Sequence, residues 1–68
     1  MAIQIFTRYS GSGTNPMSKP RRVCIVQTRD RAVEYCTREN DRRSKDAVRK
    51  GFFYEWTTEE YFREAWGR

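Results

Sequence analysis

The chain has 68 residues, a length that suits one small domain and no second one. Its formal charge is +5, and eleven of its fourteen basic residues are arginine, a composition that favours nucleic acid or acidic protein surfaces as partners. It contains no histidine and only two cysteines, so a zinc site, a disulfide framework and a histidine-dependent active site are not expected.

The apolar residues available for a core are unusual, because the chain has ten aromatic residues and no leucine. We therefore expect aromatic side chains to build much of the core. Ordering the chain costs about 1.5 kcal/mol per residue, so a core this small leaves little net stability without a dimer or a partner surface. Cys24 and Cys36 fall on apolar faces, which predicts two reduced core cysteines.

The first part of the chain predicts two strands joined by a long loop. Residues 2–9 alternate in polarity, as a strand does. Residues 10–20 collect glycine, serine and both prolines, which predicts a flexible loop. Residues 21–27 hold an unbroken apolar run, Val23 to Val26, typical of a strand that is buried on both faces or central in a sheet, and we predict that it is the central strand.

A helix is predicted to begin after Thr28, whose hydroxyl can accept a hydrogen bond from a free backbone amide. Its apolar stripe fails at Asn40, which leaves two alternatives. The helix can stop near Asp41, with a second short helix capped by Ser44, or it can continue. Gly51 ends it in both cases.

Residues 52–56 carry the strongest strand pattern in the chain. Phe52, Tyr54 and Trp56 alternate on one face and are expected to pack under the helices, which leaves Phe53 on the opposite face as part of an exposed apolar patch.

Thr57 and Glu60 match a capping box and predict a last helix that Gly67 ends. The predicted fold is a small two-layer α+β domain in the order β-β-α-β-α. It has an antiparallel sheet of about three strands with the helices packed on one face.

A basic surface is predicted on the middle helix. Six residues follow one another at spacings of three and four, so an unbroken helix would carry them as one stripe suited to a phosphate backbone or an acidic groove. These are Arg31, Tyr35, Arg38, Arg42, Lys45 and Arg49. The alternative is an ordinary solvated face, because several acidic residues lie close by in sequence. Lys19, Arg21 and Arg22 form a second cationic group at the exit of the loop.

No pattern predicts catalysis. Glu55, Glu59 and Glu60 cluster in sequence, but they fit the outward residue of a strand and the first turn of a helix. We therefore expect a protein that works by binding, with no metal or other cofactor, no membrane segment and a cytoplasmic location.

A compact chain that is rich in arginine and aromatic residues and lacks enzyme motifs resembles the small accessory proteins of bacteriophages and mobile elements, among them anti-CRISPR and other anti-defence inhibitors. The resemblance implies a non-catalytic inhibitor that docks on a host protein or nucleoprotein complex, and it assigns no role to any residue. Two alternatives stay open: direct binding of nucleic acid through the arginine-rich helix face, and a homodimeric structural or assembly protein.

Overall fold

The structure is a computed structural model that describes residues 2–9 and 19–67. Its elements are, in chain order, β1 (Ile3–Tyr9), β2 (Arg21–Val26), α1 (Arg29–Asp41), α2 (Lys45–Arg49), β3 (Phe52–Thr58) and α3 (Glu59–Trp66). This order confirms the predicted α+β class and the β-β-α-β-α arrangement, with the middle helix in two pieces. The loop predicted at 10–20 lies outside the described residues except for Lys19 and Pro20.

The three strands form an antiparallel sheet in the order β2-β1-β3, so β1 is the central strand. The prediction that β2 is the central strand is wrong. Among the described strands β2 pairs with β1 alone, and its Val23 and Ile25 are 40% and 49% exposed. The sequence of β1 fits the central place better, because Ile3, Ile5 and Phe6 supply apolar side chains to both of its faces, and all three are buried.

The helices cover both faces of the sheet, which corrects the prediction that they pack on one. Thr7 and Tyr54 are direct cross-strand partners and share one face, whereas Phe6 points to the other. The ring of Tyr54 meets Tyr35 of α1, with centroids 6.2 Å apart, and Phe6 meets Phe62 of α3, with centroids 5.1 Å apart. The domain therefore has three layers. The reason lies in β1, whose apolar side chains on both faces each need cover.

Two small cores result, one on each face of the sheet. On the α1 face the buried apolar side chains are Ile3, Ile5, Ala32 and Cys36, and on the α3 face they are Phe6 and Phe62. The aromatic side chains of β3 that were expected under the helices are only half-buried, because β3 is an edge strand.

The middle helix breaks because Asn40 bonds with the sheet. Its Oδ1 accepts a hydrogen bond from Tyr54 N at 2.8 Å, and its Nδ2 donates to Tyr54 O at 3.2 Å. Arg43 donates to Phe52 O at 2.8 Å, so two side chains replace a neighbouring strand along the outer edge of β3. A new helix, α2, then begins after Ser44, whose hydroxyl accepts a hydrogen bond from Ala47 N.

The last helix begins one residue later than the capping box predicts. Thr58, and not Thr57, is the cap, and its hydroxyl accepts a hydrogen bond from Tyr61 N at 3.1 Å. The shift arises because Thr57 and Thr58 pair with Gln4 and Ile3, which extends β3 by two residues beyond Trp56.

We expect Asn40→Ala to lower the free energy of unfolding by about 1–3 kcal/mol, because it leaves the partly buried amide and carbonyl of Tyr54 without partners. Urea unfolding followed by circular dichroism measures the change. Thr37→Ala, at an exposed position of the same helix, corrects for the helix propensity of alanine. Equal stability of the two variants would contradict this role of Asn40.

The thiol of Cys36 is shielded from ionisation. Burial, together with Cys24 and Glu55, raises its pKa to about 11, compared with an ordinary value of 9.0. The folded state favours the neutral thiol more than the unfolded state does. This contribution to stability is therefore complete below pH 9 and is lost as the pH rises toward 11.

The urea concentration at the midpoint of unfolding is accordingly expected to decrease as the pH is raised from about 9 to about 11. The decrease is expected to be smaller in Cys36→Ala than in the unaltered chain. Cys24→Ala is the matched control, since it removes a cysteine whose thiol is less buried. An identical pH dependence in all three proteins would show that Cys36 makes no such contribution.

Candidate binding surface

Four aromatic side chains form a continuous row across one end of the sheet, on the face that α1 covers. Tyr35 meets Tyr54, with ring centroids 6.2 Å apart; Tyr54 meets Phe52 at 5.5 Å, and Phe52 meets Tyr9 at 5.2 Å. The register explains the row, because Tyr9 lies directly opposite Phe52 and Thr7 opposite Tyr54. Tyr9 is 45% exposed, and the other three rings are half-buried. We call these four residues the aromatic row.

Cationic side chains lie at both ends of the aromatic row. At one end the guanidinium of Arg38 lies 5.5 Å from the ring centroid of Tyr35. At the other end Lys19 and Arg21 border a groove of about 290 Å³ together with Tyr9 and Phe52. None of the described residues that line this groove is acidic. The surface thus offers flat rings between positive charges.

The tyrosine at the α1 end of the row stays neutral. Burial raises the pKa of Tyr35, and Cys24, Glu39 and Tyr54 raise it further, against the opposing effect of Arg38. The phenol therefore carries no charge that would repel an anionic ligand.

A second groove lies on the opposite face of the sheet, between the start of β2 and α3. Its volume is about 310 Å³, and we call it the Trp66 groove. It is lined by Lys19, Pro20, Arg22, Phe62, Ala65 and Trp66. Lys19 borders both grooves, because it lies two residues before the edge strand that separates them.

Arg22, one of the three cations predicted at the loop exit, is tied into the fold. It donates from Nη1 to Gln4 Oε1, pairs with Glu59 at 3.1 Å and lies 4.6 Å from the ring centroid of Phe62. Gln4 is 1% exposed, and its Nε2 donates to the carbonyls of Ile5 and Cys24, which flank the bulge between β1 and β2. Arg22 is itself exposed, but its Nη1 completes the hydrogen bonding of the buried Gln4 side chain.

Phe53, predicted as an exposed apolar contact, is half-buried. The guanidinium of Arg8 lies 5.9 Å from its ring centroid and 5.4 Å from that of Trp66. Arg8 also pairs with Glu55 at 2.5 Å, which fixes it in this place. The expected apolar patch is therefore covered by Arg8 and by α3, which buries Phe6.

The predicted basic stripe is divided. Arg31, Tyr35, Arg38 and Arg42 lie on α1, whereas Lys45 and Arg49 lie on α2, beyond the break. Glu39 lies 3.6 Å from Arg38 and 3.7 Å from Arg42, so it balances part of the charge on α1. The structure brings only Tyr35 and Arg38 of the stripe to the aromatic row, where Lys19 and Arg21 of the loop exit border the far end.

Three members of the row, Tyr9, Phe52 and Tyr54, were not identified as binding residues from the sequence. Alternation within β3 does place Phe52 and Tyr54 on one face. The position of Tyr9 beside them depends on the register between β1 and β3, which no local pattern specifies.

No protein-family model, curated protein or solved structure matches the chain. Within residues 2–9 and 19–67, no helix is long and apolar enough to cross a membrane. The same residues include no group of three or more histidine, cysteine or acidic side chains that could hold a metal ion.

Adjacent arginines give a matched test of the buried polar network. Arg22→Ala leaves the buried Oε1 of Gln4 without its donor and is expected to cost about 1–3 kcal/mol of unfolding free energy. Arg21→Ala removes the same charge from the neighbouring exposed position without removing the donor to Gln4, and is expected to stay within about 0.5 kcal/mol. Urea unfolding compares the two, and an equal loss would refute the structural role of Arg22.

Proposed function

We propose that this chain is a non-catalytic binding protein whose ligand is single-stranded nucleic acid held on the aromatic row. The observation that carries the proposal is the row itself: four rings in contact, with Arg38 at one end and Lys19 and Arg21 at the other. A nucleic-acid strand has the matching pattern of flat bases joined by negative phosphates.

The physical basis is stacking combined with charge. A base that stacks on an aromatic side chain contributes about 1–3 kcal/mol, and it does so for any base sequence. Each phosphate held by lysine or arginine releases counterions, which makes binding sensitive to salt. Single strands fit better than duplex, because only unpaired bases leave a ring face free for Tyr9 or Phe52.

The resemblance to phage accessory and anti-defence proteins supports a biological setting for this activity. In that setting the ligand is an accessible strand in a host nucleoprotein complex, and the chain acts by occupying it. An acidic protein surface is the competing ligand, since its carboxylates can also pair with the lysine and arginine side chains. It has fewer flat groups that could stack on the aromatic row.

Binding of a fluorescently labelled oligothymidylate, measured by anisotropy at several salt concentrations, tests the proposal. Three phosphate contacts, by Lys19, Arg21 and Arg38, imply a slope of about −2 in log K against log salt for a single strand. Tyr9→Ala is expected to weaken binding by roughly 5- to 150-fold, the equivalent of one lost stacking contact.

A pair of double variants separates this surface from the basic stripe on the helices. Lys19→Ala with Arg21→Ala is expected to reduce the salt slope by about 1.4. Lys45→Ala with Arg49→Ala removes the same charge from α2 and is expected to change the affinity less than about twofold. Equal losses in both would mean that net charge alone drives binding. Absence of binding at low salt would overturn the proposal.

A further inference from the structure

We infer that the bound strand continues from the aromatic row past Lys19 into the Trp66 groove, where a further base stacks on Trp66. This inference rests on the proposed function and adds a second subsite, on the opposite face of the sheet. It assigns Lys19 the phosphate between the two subsites, because that side chain borders both grooves.

The Trp66 groove has the chemistry of a base subsite. Its volume of about 310 Å³ lies at the lower end of the range for ligand pockets, roughly 300–1,000 Å³. Two cations and two aromatic rings line it, and none of its described lining residues is acidic. It therefore combines the half-buried ring of Trp66 with the positive charge of Lys19, while Phe62 is buried and Glu59 balances Arg22.

Trp66 is held in place before any ligand arrives. Its ring lies 5.4 Å from Phe6 and 5.2 Å from Phe62, centroid to centroid, and the guanidinium of Arg8 lies 5.4 Å from it. Phe6 and Phe62 are buried, so the cluster is anchored in the core of the α3 face. A ring fixed in this way loses little conformational freedom when a base stacks on it.

The fold also makes the path between the subsites short. β2 is an edge strand of the described sheet, and among residues 2–9 and 19–67 no further strand lies beside Arg21 and Arg22. Arg21 faces the groove of the aromatic row, and Arg22 faces the Trp66 groove. Arg21 places positive charge at the start of the crossing, whereas the charge of Arg22 is balanced by Glu59.

Tryptophan fluorescence separates the two subsites. The chain has two tryptophans, and Trp56 lies on the α1 face, where Arg29 covers its ring at 5.8 Å. The variant Trp56→Phe leaves Trp66 as the only tryptophan. It is titrated with oligothymidylates of roughly 4 to 16 nucleotides, while anisotropy of labelled strands reports binding as such.

The expected result is that the shortest strands bind without changing the emission of Trp66, whereas longer strands quench it and bind roughly 5- to 150-fold more tightly. Trp66→Ala is expected to abolish the increase in affinity with oligonucleotide length and to leave the affinity for the shortest oligonucleotide unchanged. Trp66→Phe keeps an aromatic ring at this position and is the matched control, expected to retain most of the gain in affinity with strand length.

Binding by anisotropy with no quenching at any length would overturn the inference and leave the proposed function standing. Quenching that is as strong with the shortest strands as with the longest would also overturn it, because the Trp66 groove would then be the first site and not a continuation. Absence of binding by anisotropy would overturn the proposed function itself.

Discussion

The whole arrangement depends on the burial of β1 on both faces. In a chain without leucine, one strand carries Ile3 and Ile5 toward one side and Phe6 toward the other, and all three are buried. Each face therefore needs its own cover, which α1 supplies on one side and α3 on the other. Three layers in so short a chain leave each core small. Any polar side chain that β1 buries must therefore find hydrogen-bond partners inside the fold. Gln4 meets this condition through bonds to two carbonyls and to Arg22.

The two edges of the sheet are protected by different means, and the difference determines where a ligand can reach it. On β3 the side chains of Asn40 and Arg43 occupy the backbone groups of Tyr54 and Phe52, as a further strand would. On β2 a bulge leaves Val23 without a paired residue on β1, and the first two residues of the strand are arginines. Both features discourage pairing with another strand. The β2 edge is thus poorly suited to strand addition but well suited to an anion.

Local patterns predicted the elements well, because each depends on a few neighbouring residues. Thr28 and Ser44 cap their helices as expected, and Gly51, with φ of 80°, makes the turn into β3. The arrangement of the elements was harder to predict. An apolar run such as residues 23–26 of β2 fits an edge strand as well as a central one, and only the pairing of β1 with both neighbours decides between them. Asn40 interrupts the apolar stripe for a reason that lies 14 residues away, in the backbone of Tyr54.

The candidate surface follows from the same shortage of aliphatic side chains. Where leucine would end in a buried methyl group, an aromatic ring in an edge strand contributes one part of its surface to the core and leaves the rest at the boundary with solvent. The half-buried rings of Phe52 and Tyr54 are in this position, and Tyr9 extends them outward. Arginine and lysine then border these rings, because their long side chains cover apolar surface while the charge stays in water. A chain rich in aromatic and arginine residues thereby places rings and cations side by side at the ends of its sheet, and this pairing is the basis of the binding proposed above.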